Sequence, residues 1–195
     1  MKLIIVRHGQ TEENKKHIWQ GHSEGMLSEE GKEQAERLAQ KLKKENIDVI
    51  YCSDLKRTRD TIKPFLKESN IPIYYAKELR ERNLGVLEGL KTELVEEYLK
   101  KNTADFENSN FETGETGHAM KKRLSEFYEK IVQKHKNDTV LFLTHGGCVA
   151  QLLICLFGYP RDRFIDYVPK NTGITKIEKK NGELELLVFN DLSHL

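Results

Sequence analysis

Two short stretches of this chain deliver reactive side chains to the end of an apolar run. In "IIVRHGQ", residues 4–10, three aliphatic residues are followed by Arg7, His8 and Gly9. In "TVLFLTHGG", residues 139–147, a second apolar run ends in His145, Gly146 and Gly147. A neutral imidazole nitrogen is a competent nucleophile toward phosphorus and gives a covalent phosphohistidine. Its other nitrogen must be held by an acceptor, which fixes the tautomer. A guanidinium beside it stays charged and grips phosphate oxygens in pairs. A third stretch, "SDLKRTRDT" at 53–61, adds Arg57 and Arg59. On one helix these two point in different directions, so one reaches the site and the other stays at the surface. A departing alcohol needs a proton, and "ELRERNLGVLEG" at 78–89 offers Glu78, Glu81 and Glu88. A carboxyl buried beside an incoming phosphate has a raised pKa and can donate. Spacing alone does not choose among the three. A single strand-end histidine is more often structural than catalytic; the repeated pattern, with Arg7 beside one copy, is what carries weight.

Those residues need elements to hold them. Strand-like runs fall at 2–6, 48–52, 71–75, 139–143, 173–178 and 183–189. Between them, Ala35, Leu38, Ala39 and Leu42 repeat at helical spacing within 30–46, as do Met120, Leu124, Phe127 and Ile131 further on. Leu55, Ile62, Phe65 and Leu66 mark another helix, and Leu94, Val95, Tyr98 and Leu99 a short one. Strands alternating with helices predict an α/β fold with a mainly parallel sheet. The last two runs are joined by "KKNGE", whose Asn-Gly predicts a hairpin that makes the sheet mixed at one edge. In open parallel sheets ligands bind at the carboxyl ends of the strands. Both His-Gly corners then face one crevice, and the helix after "HGG" aims free N–H groups at an anion. Residues 102–118 are polar and read as a surface loop long enough to be functional.

Composition narrows the partners. Lys plus Arg number 32 against 31 Asp plus Glu, which argues against a general nucleic-acid or membrane-surface binder. A chain of 195 residues reads as one domain, 1–195. Cys52, Cys148 and Cys155 include no CxxC pair, and each sits in an apolar run, as core thiols in a reducing compartment would. The longest apolar stretch, "CVAQLLICLFGY", is too short to span a bilayer. A soluble cytoplasmic protein is expected, with no feature that marks an oligomer interface. Trp19 and Phe111 could touch substrate, with loop packing at least as good a reading; His22 and His118 could line the mouth of the site, with exposed loop histidines the better reading; His17, His135 and His194 read as surface or terminal residues. Lys121, Lys122 and Arg123 oppose the dipole at a helix start, which hints that one of them faces an anion.

At these residues the chain resembles the histidine phosphatase superfamily, in the branch that contains the cofactor-dependent phosphoglycerate mutases. "VRHGQTEEN", "WQGHSEGMLSEEG", "SDLKRTRDT", "LRERNLGVLEG", "GETGHAMKKR" and "THGG" occur in the family's order, and "NTGITKI" and "FNDLSHL" resemble the family's closing segments. The resemblance covers essentially the whole chain and implies a three-layer α/β/α sandwich. It implies that His8 becomes phosphorylated, that Arg7, Arg57 and His145 clamp the phosphoryl group, and that Glu81 donates the proton. It further implies that Asn14, Gln20, Gly21 and Gly146 complete the binding site, with a small phosphorylated metabolite as partner and neither metal nor cofactor. Glu24 and Met26 stand where the family usually has Asp and Pro, and "GET" replaces "GES". The mutases usually continue after the acid with Arg-His-Tyr-Gly and carry a longer insertion with paired arginines. Here the run is Arg82-Asn83-Leu84-Gly85, and the later segment is short and acidic. An open site lets water finish the reaction, so the expectation is a phosphomonoester phosphatase, with a phosphoglycerate mutase as its nearest rival. A metal hydrolase using His8, His145 and a glutamate is disfavoured because Arg7 would repel the cation. A non-catalytic phosphometabolite-binding protein is disfavoured because His8 and Glu81 are both kept.

Overall fold

The structure is a computed structural model and describes residues 1–103 and 105–195. Six strands form one sheet: β1 (Lys2–Arg7), β2 (Val49–Ser53), β3 (Ile73–Ala76), β4 (Thr139–Thr144), β5 (Ile174–Lys180) and β6 (Glu183–Asp191). Their spatial order is β3-β2-β4-β1-β5-β6. The first four in that row are mutually parallel, and β5 and β6 are antiparallel additions at one edge. The expected hairpin is present: Asn181 and Gly182 both adopt positive φ, 54° and 88°, the backbone such a tight turn requires.

Alternation along the strands divides the core in two. On one face Leu3, Ile5, Tyr51 and Phe142 pack under α5 (Gly117–Lys134) and α6 (Gly146–Phe157). On the other, Ile4, Val6, Ile50 and Leu143 pack under α2 (Glu29–Leu42) and α3 (Lys56–Leu66). Helices on both faces of a mostly parallel sheet make the three-layer sandwich. Each fully buried large side chain contributes roughly 1.5–3 kcal/mol through removal from water. The short helices α1 (Glu12–Lys15) and α4 (Thr92–Lys101) lie outside these layers. Val95 of α4 joins Leu84, Leu87 and Phe111 in a small third core beside the strand ends.

Several expectations need adjustment. α2 stops at Leu42 rather than continuing to 46. The 102–118 segment is not merely a surface loop. Its Phe111 is fully buried, and buried Arg82 donates to the carbonyls of Phe106, Ser109 and Glu115. Ala104 of that segment lies outside the described residues. His135 is buried, not superficial: it meets the Tyr51 hydroxyl at 2.9 Å and Asp138 at 2.7 Å. Cys52 and Cys148 are core thiols as expected, whereas Cys155 is only half-buried. Among the described residues no helix is long and apolar enough to cross a membrane.

Candidate active site

The carboxyl ends of β1, β2 and β4 lie side by side, with Arg7 in register with Thr144. The next residue of each chain segment therefore turns into a common crevice. The His8 amide donates to the Thr144 carbonyl at 3.0 Å, and the His8 carbonyl accepts from the Asn171 side chain at 3.0 Å. Thus pinned, the His8 ring sits 5.2 Å from that of His145, centroid to centroid. His8 Nδ1 lies 2.8 Å from the Gly9 carbonyl oxygen, which can only accept. Nδ1 therefore carries the proton, and Nε2 keeps a free lone pair. Burial, with Arg57 and Arg7 nearby, holds the His8 pKa well below its ordinary value, so the ring is neutral at neutral pH.

Arg57, from the first turn of α3, is buried on the other side of the pair. It donates through Nε to His145 Nδ1 at 3.2 Å, through Nη1 to the Ser23 carbonyl and through Nη2 to the Gly21 carbonyl. His145 Nε2 faces the Ser53 hydroxyl at 2.8 Å. Because Nδ1 accepts, Nε2 carries the ring proton. Burial first, then Arg57, keeps the His145 pKa well below its ordinary value. Burial also pushes the Arg57 pKa down to about 10, which leaves it charged at neutral pH. Arg7 donates through Nη1 to the Pro169 carbonyl at 2.7 Å, while its Nε is buried without a protein partner. That donor is available to an anion. Arg59 points away, exposed, over the ring of Tyr75.

The structure separates the three glutamates. Glu78 is exposed, and Glu88 accepts from the amides of His22 and Leu84 as a loop clamp. Glu81 lines the crevice with His8, Arg7 and Arg57. Its carboxylate accepts from the amides of Arg82 at 3.0 Å and Gly147 at 2.9 Å. A Cβ at 147 would stand 2.5 Å from Glu81 Oε1, so any larger residue there would have to displace the carboxylate. The Glu81 carbonyl is held as well, by His22 Nε2 at 2.8 Å and Arg123 Nη2 at 3.3 Å. Arg123 also donates to the carbonyls of Glu78 and Arg80 and grips the Glu115 carboxylate with two nitrogens, at 2.8 and 2.7 Å. The basic run at the start of α5 thus does face an anion, but that anion is the protein's own Glu115, and Lys121 and Lys122 are exposed.

Asn14, Gln20, Gly21 and Gly146 all line the same cavity of about 800 Å³. Asn14 closes a capping box on α1 and accepts from Asn171 at 3.2 Å. Gln20 has its Oε1 buried without a partner. His22 is bound to the acid segment rather than loose, while His118 is exposed. Sequence reasoning missed Ser53, Asn171 and Arg82 as supports, and it marked Arg123 only as one of three candidates to face an anion. Ser53 and Asn171 lie within the quoted "SDLKRTRDT" and "NTGITKI" stretches, but nothing in their spacing marked them as supports. Among the described residues no group of three or more His, Cys, Asp or Glu is arranged to hold a metal ion.

Fold and site together define an α/β sandwich with a paired-histidine, arginine-flanked anion site at its strand ends. A sequence model of the histidine phosphatase superfamily (branch 1) matches residues 3–192, and the chain belongs to that superfamily. It is 36% identical over 205 residues to a probable phosphatase of Schizosaccharomyces pombe, covering 100% of this chain and 95% of the other. It is 31% identical to phosphoserine phosphatase 1 of Hydrogenobacter thermophilus, covering 100% and 94% of the two chains. The structure of Bacillus stearothermophilus YhfR is similar with a TM-score of 0.89 at 29% identity, covering 99% of this chain and 98% of that one.

Proposed function

We propose that this protein is a metal-independent phosphatase that hydrolyses small phosphomonoesters through a phosphohistidine on His8. The observation that carries the reading is the His8 ring, neutral, with Nδ1–H tied to the Gly9 carbonyl and Nε2 free beside two guanidiniums. In the first step Nε2 attacks phosphorus, the bond from phosphorus to the alcohol oxygen breaks, and Glu81 gives that oxygen its proton. In the second, water attacks the phosphohistidine, Glu81 takes the water's proton, and inorganic phosphate leaves with His8 restored. Arg7, Arg57 and His145 stabilise charge on the transferring group, the main contribution protein groups make to phosphoryl transfer. Asn14, Gln20, Gly21 and Gly146 complete the phosphate site. The arginines supply the positive charge a metal would otherwise provide. Membership of the superfamily and the phosphatase relatives support this chemistry.

We read residues 1–195 as one domain, supported by a sheet in which β1 lies between β4 and β5 from the later part of the chain. Three free thiols, two of them buried, support a reducing setting such as the cytoplasm. The test is phosphate release in excess chelator from aryl phosphate, phosphoserine and 3-phosphoglycerate, with the last also assayed for 2-phosphoglycerate. Phosphate without isomer, and a base-stable, acid-labile phosphoenzyme absent from His8→Ala, is the expected result. Rapid isomerisation with little phosphate would make the protein a mutase instead.

A further inference from the structure

Beyond the phosphate end, the cavity has walls that the reaction chemistry does not explain. Trp19 and Phe106 meet edge to face with centroids 5.7 Å apart, and Leu99, Phe164 and Ile165 continue the same apolar surface. Ile165 remains 78% exposed and fills no core, and Phe106, packed on one side against Phe111, still leaves 36% of its surface open. At about 800 Å³ the space lies toward the large end of the roughly 300–1,000 Å³ typical of small-molecule sites. A phosphate with a three-carbon alcohol would fill only its inner part.

The charges around this outer chamber matter as much. Asp105, Glu107 and Asp162 line it. The cations beyond the phosphate site are Arg82, whose three nitrogens are all engaged, and Arg161, which is charge-paired with Glu107 through Nη2. Arg82 gives its hydrogen bonds to the three carbonyls of the 102–118 segment. Arg161 is paired with Glu107 and donates to Gln151 Oε1 at 3.0 Å. No lysine lines the chamber among the described residues. A substrate carboxylate placed there would lose water and face Asp105, Glu107 and Asp162, against one arginine whose charge Glu107 already balances.

From this juxtaposition of apolar walls, acidic rim and engaged arginines we infer that the substrate's alcohol is a bulky, mainly apolar group without a carboxylate. The inference rests on the phosphatase reading and excludes phosphoserine and 3-phosphoglycerate as preferred substrates. Specificity comes from Trp19, Phe106 and Phe164 by attraction and from Glu107 by keeping Arg161 occupied.

The experiment compares kcat/KM for propyl phosphate, 3-phenylpropyl phosphate, phosphoserine and 3-phosphoglycerate. The two alkyl esters have similar leaving groups, so their ratio reads the chamber rather than bond reactivity. 3-Phenylpropyl phosphate should exceed propyl phosphate by about tenfold or more, given what burying an aromatic ring contributes. Phosphoserine and 3-phosphoglycerate should fall below 3-phenylpropyl phosphate by at least a similar factor. Phe164→Ala should shrink the phenylpropyl advantage, and Glu107→Gln, by releasing Arg161, should lower KM for 3-phosphoglycerate. Equal or better turnover of phosphoserine or 3-phosphoglycerate would overturn the inference and leave the phosphatase reading standing. Absence of phosphate release from all four and from an aryl phosphate would overturn both.

Discussion

Arg123 touches no part of the phosphate site, yet it should control proton donation. Its side chain ties three backbone carbonyls, of Glu78, Arg80 and Glu81, to the Glu115 carboxylate. In Arg123→Met these charge-assisted bonds vanish, each worth about 1.5–3 kcal/mol when a charged group is involved. Glu115, whose side chain is only 17% exposed, loses its partner. The 80–82 segment is then free to shift, and a displacement of about 1 Å at a reacting group costs on the order of 10²-fold. A general acid itself contributes roughly 10²–10⁴-fold. The loss should depend on the leaving group. An alkyl phosphate needs the proton and should lose about 10²-fold in kcat, whereas 4-nitrophenyl phosphate expels a stable anion and should lose far less. Arg123→Lys keeps the charge without the planar fork and should fall between the two. Stopped-flow or steady-state rates on both esters, with a melting curve to confirm folding, decide the matter. Equal losses on both esters, or no loss on the alkyl ester, would refute a positioning role and leave Arg123 a simple staple.

Other outcomes follow from the same site. His8 and His145 both have pKa values held far below the ordinary one, so the unfolded chain takes up protons below about pH 6.5 that the folded chain refuses. Stability is therefore full above that pH and should fall by about 1.4 kcal/mol per pH unit for each histidine as pH drops toward the folded values. Urea unfolding between pH 5 and 7 should show His8→Asn losing about half of that steepness relative to wild type; an unchanged slope would mean that His8 titrates normally. Gly147→Ala should push the Glu81 carboxylate aside and lower kcat by on the order of 10²-fold, while inhibition by inorganic phosphate changes little. Phe142→Ala, at a fully buried position in the central strand β4, should cost roughly 3–5 kcal/mol in urea unfolding.

The apolar strands, amphipathic helices and Asn-Gly hairpin were legible because each writes its pattern within a few neighbouring residues. His8 and His145 were legible for the same reason, each following its own strand. Glu81 was not separable from Glu78 and Glu88 by spacing, since the difference lies in what the chain folds around them: amides of 82 and 147 for one, amides of 22 and 84 for another. His135 was misread because its burial depends on Tyr51, far away in sequence. The role of Arg82, the Glu115 partner of Arg123 and the extent of the outer chamber went unread because they join irregular segments, where no periodicity records which residues meet. The polar composition of 102–118 concealed Phe106, a single apolar residue among many polar ones, whereas Phe111 packs within the loop as its reading expected.

The strand order has a consequence for synthesis. β1 leaves the ribosome first, but its two sheet neighbours, β4 and β5, come only after most of the chain. At translation rates of about 5–20 residues per second, β1 waits on the order of ten seconds for β4. During that interval its row of aliphatic side chains and unpaired amides is open to other chains, the condition in which nascent proteins recruit chaperones. The histidine pair forms only when β4 docks, and the amide of Thr172 closes on the carbonyls of Arg7 and His8 later still. Nascent fragments that stop short of β4 should therefore be inert, and the onset of activity should serve as a clock for the last long-range step of folding.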